Sequence, residues 1–103
     1  MHDRERAITE LEREGFFVTE WRDDPGATYP EHSHPQREVR IVLGGGMTMC
    51  VNGKVRELSA GDRIDLTPGE RHSAVVSSEG VHYLAGSDRR RAAHDVRRPA
   101  GSE

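Results

Sequence analysis

Beyond Gly15 the sequence is a series of short, strand-like runs cut at close intervals by turn residues, and this punctuation constrains the fold more than any other feature. Residues 16–21 read as a first strand, ended by Asp23-Asp24-Pro25-Gly26. There Pro presets one turn dihedral and Gly accepts another that bulkier residues resist. A second strand at 27–29 runs into a loop at 30–35, and a third at 37–43 is expected to break at Gly44-Gly45-Gly46. Residues 47–51 and 54–58 flank Asn52-Gly53, a two-residue hairpin signal, because both residues tolerate positive φ. Turns at 59–62 and 68–70 bracket a short strand at 63–66. Runs at 72–76 and 81–85, separated by 77–80, complete the series. The fold class is therefore all-β, a small antiparallel barrel. Only 33% of the residues are hydrophobic, which suits one shared barrel interior better than a layered α/β fold.

The first 15 residues differ in texture. Ala7, Ile8 and Leu11 form a narrow apolar stripe in an otherwise charged segment, predicting a helix over 3–14 that Gly15 stops. Such a helix would lie over the barrel or against a partner. The expected organisation is a helix at 1–15, a barrel at 16–86 and a basic, flexible tail at 87–103. With 103 residues there is room for one core, and a bound metal or a second copy would add stability, so a homodimer is expected. The formal charge of −3 gives no support to nucleic-acid binding. Five arginines in 87–103 give the tail a balance of +2 and leave −5 for residues 1–86. That is the pattern of an acidic body with a solvated basic end, and the run Arg89-Arg90-Arg91 is read in the same way. Cys50 is the single cysteine, which excludes an intrachain disulfide. No apolar run suits a signal peptide or a membrane span, so the expected location is cytoplasmic.

Four side chains are candidate metal ligands. On an extended chain His32 and His34 point to one side, and Glu38 shares their parity. His72 opens a later strand able to pair beside the first. Imidazole and carboxylate form a borderline ligand set, suited to one divalent transition ion: manganese, iron, nickel, cobalt or zinc. Four such ligands leave open positions on an ion that prefers six, as catalysis requires.

The stretch Gly26-(five residues)-His32-Ser33-His34-(three residues)-Glu38-(six residues)-Gly45 resembles the first motif of the cupin superfamily. Gly61-Asp62-(four residues)-Thr67-Pro68-Gly69-(two residues)-His72 resembles the second. The resemblance implies a small single-domain cupin, a double-stranded β-helix or jelly roll, with His32, His34, Glu38 and His72 at the metal positions. Thr67 and Val76 depart from the family pattern at positions that supply no ligand. The resemblance further implies a metal-dependent enzyme of oxygenase type acting on a small organic molecule, with Glu38 as proton acceptor. The alternatives are a sugar isomerase, epimerase or lyase, and a non-catalytic binding or sensor module. Arg40 has ligand parity and is either an anion-binding group in the pocket or an exposed strand arginine. His82 either lines the pocket or faces outward, since alternation alone does not name the face. Trp21 and Tyr83 either cap a pocket or, as large aromatics on strands usually do, simply pack. Met47 and Met49 are expected to pack the interior, and His2 and His94 to be solvated.

Overall fold

The structure, a computed structural model, describes residues 3–97. One helix, α1 (Arg4–Arg13), precedes six strands: β1 (Phe17–Asp23), β2 (Thr28–His32), β3 (Glu38–Val51), β4 (Lys54–Ser59), β5 (Arg63–Leu66) and β6 (His72–Ser87). Asp3 caps the helix, its Oδ1 accepting from the Arg6 N–H at 2.7 Å and satisfying a donor left over by the first turn. The expected fold class holds. All pairings are antiparallel, in the order β1-β6-β3-β4, with β2 on β6 and β5 on β3.

Two long strands carry the barrel. β3 and β6 pair along nearly their whole lengths, from Glu38↔Ser87 to Val51↔His72. The short strands complete the wall, β1 and β2 on successive halves of β6, β5 and β4 on successive halves of β3. The sequence-based expectation of breaks at Gly44–Gly46 and at 77–80 is corrected here: both segments stay within a strand. Each is a bulge. The β3–β6 register shifts between Val42 and Gly44 and again between Gly45 and Met47. An odd residue in a strand reverses which face every later side chain takes. Even-numbered Glu38, Arg40 and Val42 therefore share the interior with odd-numbered Met47 and Met49. On β6 the interior residues change from His72, Ala74 and Val76 to Val81 and Tyr83. The two bulges meet at Gly45, whose φ is +65° and where a Cβ would lie 2.1 Å from the Gly80 carbonyl oxygen. Only glycine fits both demands.

Two apolar clusters result. The barrel interior packs Val42, Met47, Met49, Leu58, Ile64 and Val76 among others. The second cluster lies outside the wall: Ala7, Ile8 and Leu11 of α1 cover Val18, Val39, Ile41 and Leu84, which face away from the interior. Ile8, Leu11, Ile41 and Leu84 are almost completely buried, and each such side chain contributes about 1.5–3 kcal/mol. Arg63 on β5 ties the helix down, its Nη1 donating to Glu10 at 2.9 Å and Glu14 at 2.6 Å while its Nε donates to Asp65 at 2.9 Å. Among the described residues no helix is long and apolar enough to cross a membrane.

The described part of the expected loose tail, residues 88–97, is laid along β1. The Glu20 N–H donates to the His94 carbonyl at 2.9 Å, and the Val96 N–H to the Val18 carbonyl at 3.0 Å. His94, expected to be simply solvated, is exposed but stacks on Trp21 at 3.9 Å between centroids. Residues 98–103 and His2 lie outside the described residues.

Candidate metal centre

His32 ends β2 and His72 begins β6, and the two are direct cross-strand partners. The β2–β6 register slips between Tyr29 and His32, so Tyr29 and His32 both face inward although three positions apart. His34 lies in the loop just beyond β2. The three imidazoles form a compact group, with ring centroids 4.8 Å apart for His32–His34, 4.3 Å for His32–His72 and 5.4 Å for His34–His72. One ring nitrogen of each lies within 4.8 Å of the others, a grouping able to hold a metal ion.

Their hydrogen bonds suit that use. His32 Nδ1 donates to the Pro30 carbonyl at 2.7 Å, and His72 Nδ1 to the Glu70 carbonyl at 3.1 Å. A carbonyl can only accept, so in each neutral ring the proton sits on Nδ1 and Nε2 keeps the lone pair. Partners of this kind orient metal-binding histidines in general. His72 Nε2 is buried and has no hydrogen-bond partner, a costly state for a polar atom unless something binds it. Burial also holds His72 below the ordinary histidine pKa, with His32 and Arg40 adding to the effect against the Glu70 hydrogen bond. Burial likewise lowers His34, against the opposing pull of Glu38. Neutral imidazoles are the form that binds a cation.

Glu38 stands beside the triad and not within the grouped donors. Its Oε1 accepts from Arg40 Nη2 at 2.8 Å and lies 3.9 Å from His34 Nε2. Two donors of one ion with bonds of about 2.1 Å stand between about 3.0 and 4.2 Å apart, so the Glu38 position is compatible with a share in the site. Arg40 lines the cavity and is largely buried, so it is placed in the interior and not on an exposed strand face. For His82 the pocket reading is corrected. The odd residues on either side of it, Val81 and Tyr83, turn inward, so His82 points out, and its Nε2 donates to Glu20 Oε2 at 2.7 Å.

The triad opens on a cavity of about 170 Å³ whose far side is apolar and aromatic: Trp21, Tyr29, Met47, Met49, Ala74 and Tyr83. Trp21 and Tyr83 line the cavity. Tyr29 and Arg91 also line the cavity, and sequence reasoning missed both. Nothing local reveals the register slip that turns Tyr29 inward, and Arg91 sits in a run that reads as solvated charge. Burial, with the Asp23 carboxylate adding to it, pushes the Tyr29 phenol well above its ordinary pKa.

An antiparallel barrel with a histidine triad at one end of a small internal cavity defines a candidate metal-binding barrel protein. Residues 19–85 match the family described as the cupin domain, and the chain belongs to that family. It is similar to an RmlC-like cupin from Shewanella frigidimarina, at 28% identity and a TM-score of 0.65 over 74% of this chain and 68% of that one. It is also similar to KdgF from Halomonas sp., at 24% identity and a TM-score of 0.62 over 72% of this chain and 71% of that one, a likeness of fold alone. A variant of salicylate 1,2-dioxygenase from Pseudoaminobacter salicylatoxidans matches at 25% identity and a TM-score of 0.67. That match covers 72% of this chain and 22% of the dioxygenase chain.

Proposed function

We propose that the protein is a metal-dependent cupin enzyme of oxygenase type, acting on a small and largely apolar organic molecule. The observation that carries this reading is the pairing of a partnerless, buried His72 Nε2 with an apolar and aromatic cavity of about 170 Å³. A cavity of about 150 Å³ lined by apolar side chains accepts benzene, so this one suits a single ring or a chain of a few carbons. A sugar would leave its hydroxyls against methionine and aromatic carbon, which disfavours the isomerase, epimerase or lyase reading. The likeness to a salicylate dioxygenase supports the same direction.

His32, His34 and His72 would hold the ion through Nε2, with Glu38 as a fourth donor shared with Arg40. A divalent iron, manganese, nickel or cobalt ion bound there would polarise an enol or phenol oxygen and provide a centre for oxygen chemistry, and zinc would do the first alone. The carbonyls of Pro30 and Glu70 keep two of the imidazoles in the right tautomer. Glu38, as a carboxylate at the edge of the cavity, accepts the proton that an enol or phenol loses. Trp21, Met47, Met49 and Tyr83 exclude water from the ring.

The test is elemental analysis of protein made under controlled metal supply, followed by oxygen-electrode assays with enolic and phenolic compounds. One ion per chain, lost in His72→Ala, and oxygen uptake in step with substrate loss are expected. Turnover that persists without oxygen would place the protein among the isomerases or lyases. Ligand binding with no turnover under any metal would make it a binding module.

A further inference from the structure

The cavity has an unbalanced charge. Among the described residues that line it, Glu38 is the single carboxylate, against two guanidinium groups, Arg40 and Arg91. Arg40 is largely buried, with 15% of its side chain exposed, and its Nη2 donates to Glu38 Oε1 at 2.8 Å. Its Nη1 reaches only the Val39 carbonyl, at 3.5 Å, and its Nε has no acceptor among the described residues. A guanidinium carries five N–H donors in a planar fork, so most of the Arg40 fork is left for another acceptor.

Arg91 approaches the same carboxylate from the mouth of the cavity, its Nη2 3.9 Å from Glu38 Oε2. Its neighbours are anchored on both sides. Upstream, the Arg89 N–H donates to Ser87 Oγ at 3.2 Å, and Arg90 pairs with Asp95 at 3.3 Å and covers the Phe17 ring. Downstream, His94 and Val96 are bonded to β1, and Arg97 Nε donates to Glu12 at 2.6 Å. The Arg90 side chain is thus turned to Asp95 and Phe17, and Arg91 is the member of the run that lines the site.

We propose that the cavity selects small carboxylates, clamped between Arg40 inside and Arg91 at the mouth, with Glu38 as the internal carboxylate that a ligand must displace. The planar fork of arginine matches a carboxylate through two parallel hydrogen bonds, and a desolvated site strengthens each one. The aromatic and methionine side chains opposite take the carbon part. This deepens the proposed function of the same cavity by naming the substrate class, yet it depends on arginines and not on a metal.

The experiment follows amide shifts by NMR in the full chain, once with zinc and once after chelation, in low-chloride buffer. Benzoate and propionate are titrated against their neutral amides. In the chelated protein at least one acid is expected to bind about tenfold or more tightly than its amide. Arg91→Gln should weaken the acid about tenfold and leave the amide unchanged, with partial rescue by Arg91→Lys. Arg91 is half-exposed, so its loss should not unfold the barrel. Glu38→Gln removes the competing carboxylate and should tighten the acid. Equal binding of acid and amide, no response to Arg91→Gln, weaker acid binding in Glu38→Gln, or no binding of either acid at millimolar concentration would each overturn the proposal. Failure to bind zinc with acid selectivity intact would count against the metal centre alone.

Discussion

Substituting Gly45 by alanine tests the idea that two facing bulges build this barrel. Gly45→Ala meets two costs. At φ +65° an alanine sits in the left-handed region, which costs about 1–2 kcal/mol. The new Cβ would also lie 2.1 Å from the Gly80 oxygen and 2.8 Å from the Gly80 carbonyl carbon. Both contacts are backbone, so relief requires β3 and β6 to part by about 1 Å, enough to break two or three ladder hydrogen bonds worth about 1 kcal/mol each. The total is about 3–5 kcal/mol. Gly53→Ala is the control, since Gly53 has φ +80° and nothing within 4 Å of its Cβ position. It should lose about 1–2 kcal/mol, from the backbone term alone. For a chain of this size 1 kcal/mol corresponds to about 4–8 °C in Tm. Thermal and urea unfolding followed by circular dichroism should put Gly45→Ala about 8–24 °C below Gly53→Ala, or leave it unfolded. If Gly45→Ala is no less stable than Gly53→Ala, the facing-bulge account is wrong.

Two further expectations concern charge and metal. Glu20, held by hydrogen bonds from Arg4 and His82 against the cost of burial, titrates at about 2 in the folded chain, below an ordinary value of 4.5. Its stabilising effect is complete above pH 4.5 and is lost as pH falls toward 2. Because Arg4 is well exposed, solvent screening reduces the effect to about 1 kcal/mol. Glu20→Gln should therefore lower stability at pH 7 and flatten the acid limb of a Tm–pH curve, and an unchanged limb would show that the pair contributes nothing. Metal at 1,000 times its Kd should add about 4 kcal/mol, visible in differential scanning calorimetry as a rise in Tm absent from His72→Ala and retained in His82→Ala. Equal rises in all three proteins would exclude the triad.

The helix stripe, the Asn52-Gly53 hairpin and the strand-and-turn punctuation were legible because each rests on neighbouring residues. Ala7, Ile8 and Leu11 must share a face at helical spacing, and they are buried together against the wall. The common side of Glu38 and Arg40 was legible too, since no bulge intervenes between them. His82 was not, because its face follows from the parity of β6 beyond the bulge at 77–80.

Local chemistry alone thus determined that the chain alternates strands with turns and carries a helix ahead of them. Strand parity grouped His32, His34 and Glu38, and His72 was legible only through the cupin motif. The tertiary structure decided which face each strand turns to the cavity. A register slip of an odd number of residues leaves composition and spacing untouched yet reverses every later side chain. Three such adjustments bring Tyr29 in beside His32, set Met47 and Met49 on the same side as Arg40, and send His82 out to Glu20. The fourth decision, the return of Arg91 to the cavity, depends on contacts between residues 88–97 and β1 that lie about 75 positions apart in the sequence. Pairing at that separation follows from β1 pairing with β6 along one edge and presenting the other to the tail, and no local pattern in the arginine run specifies it.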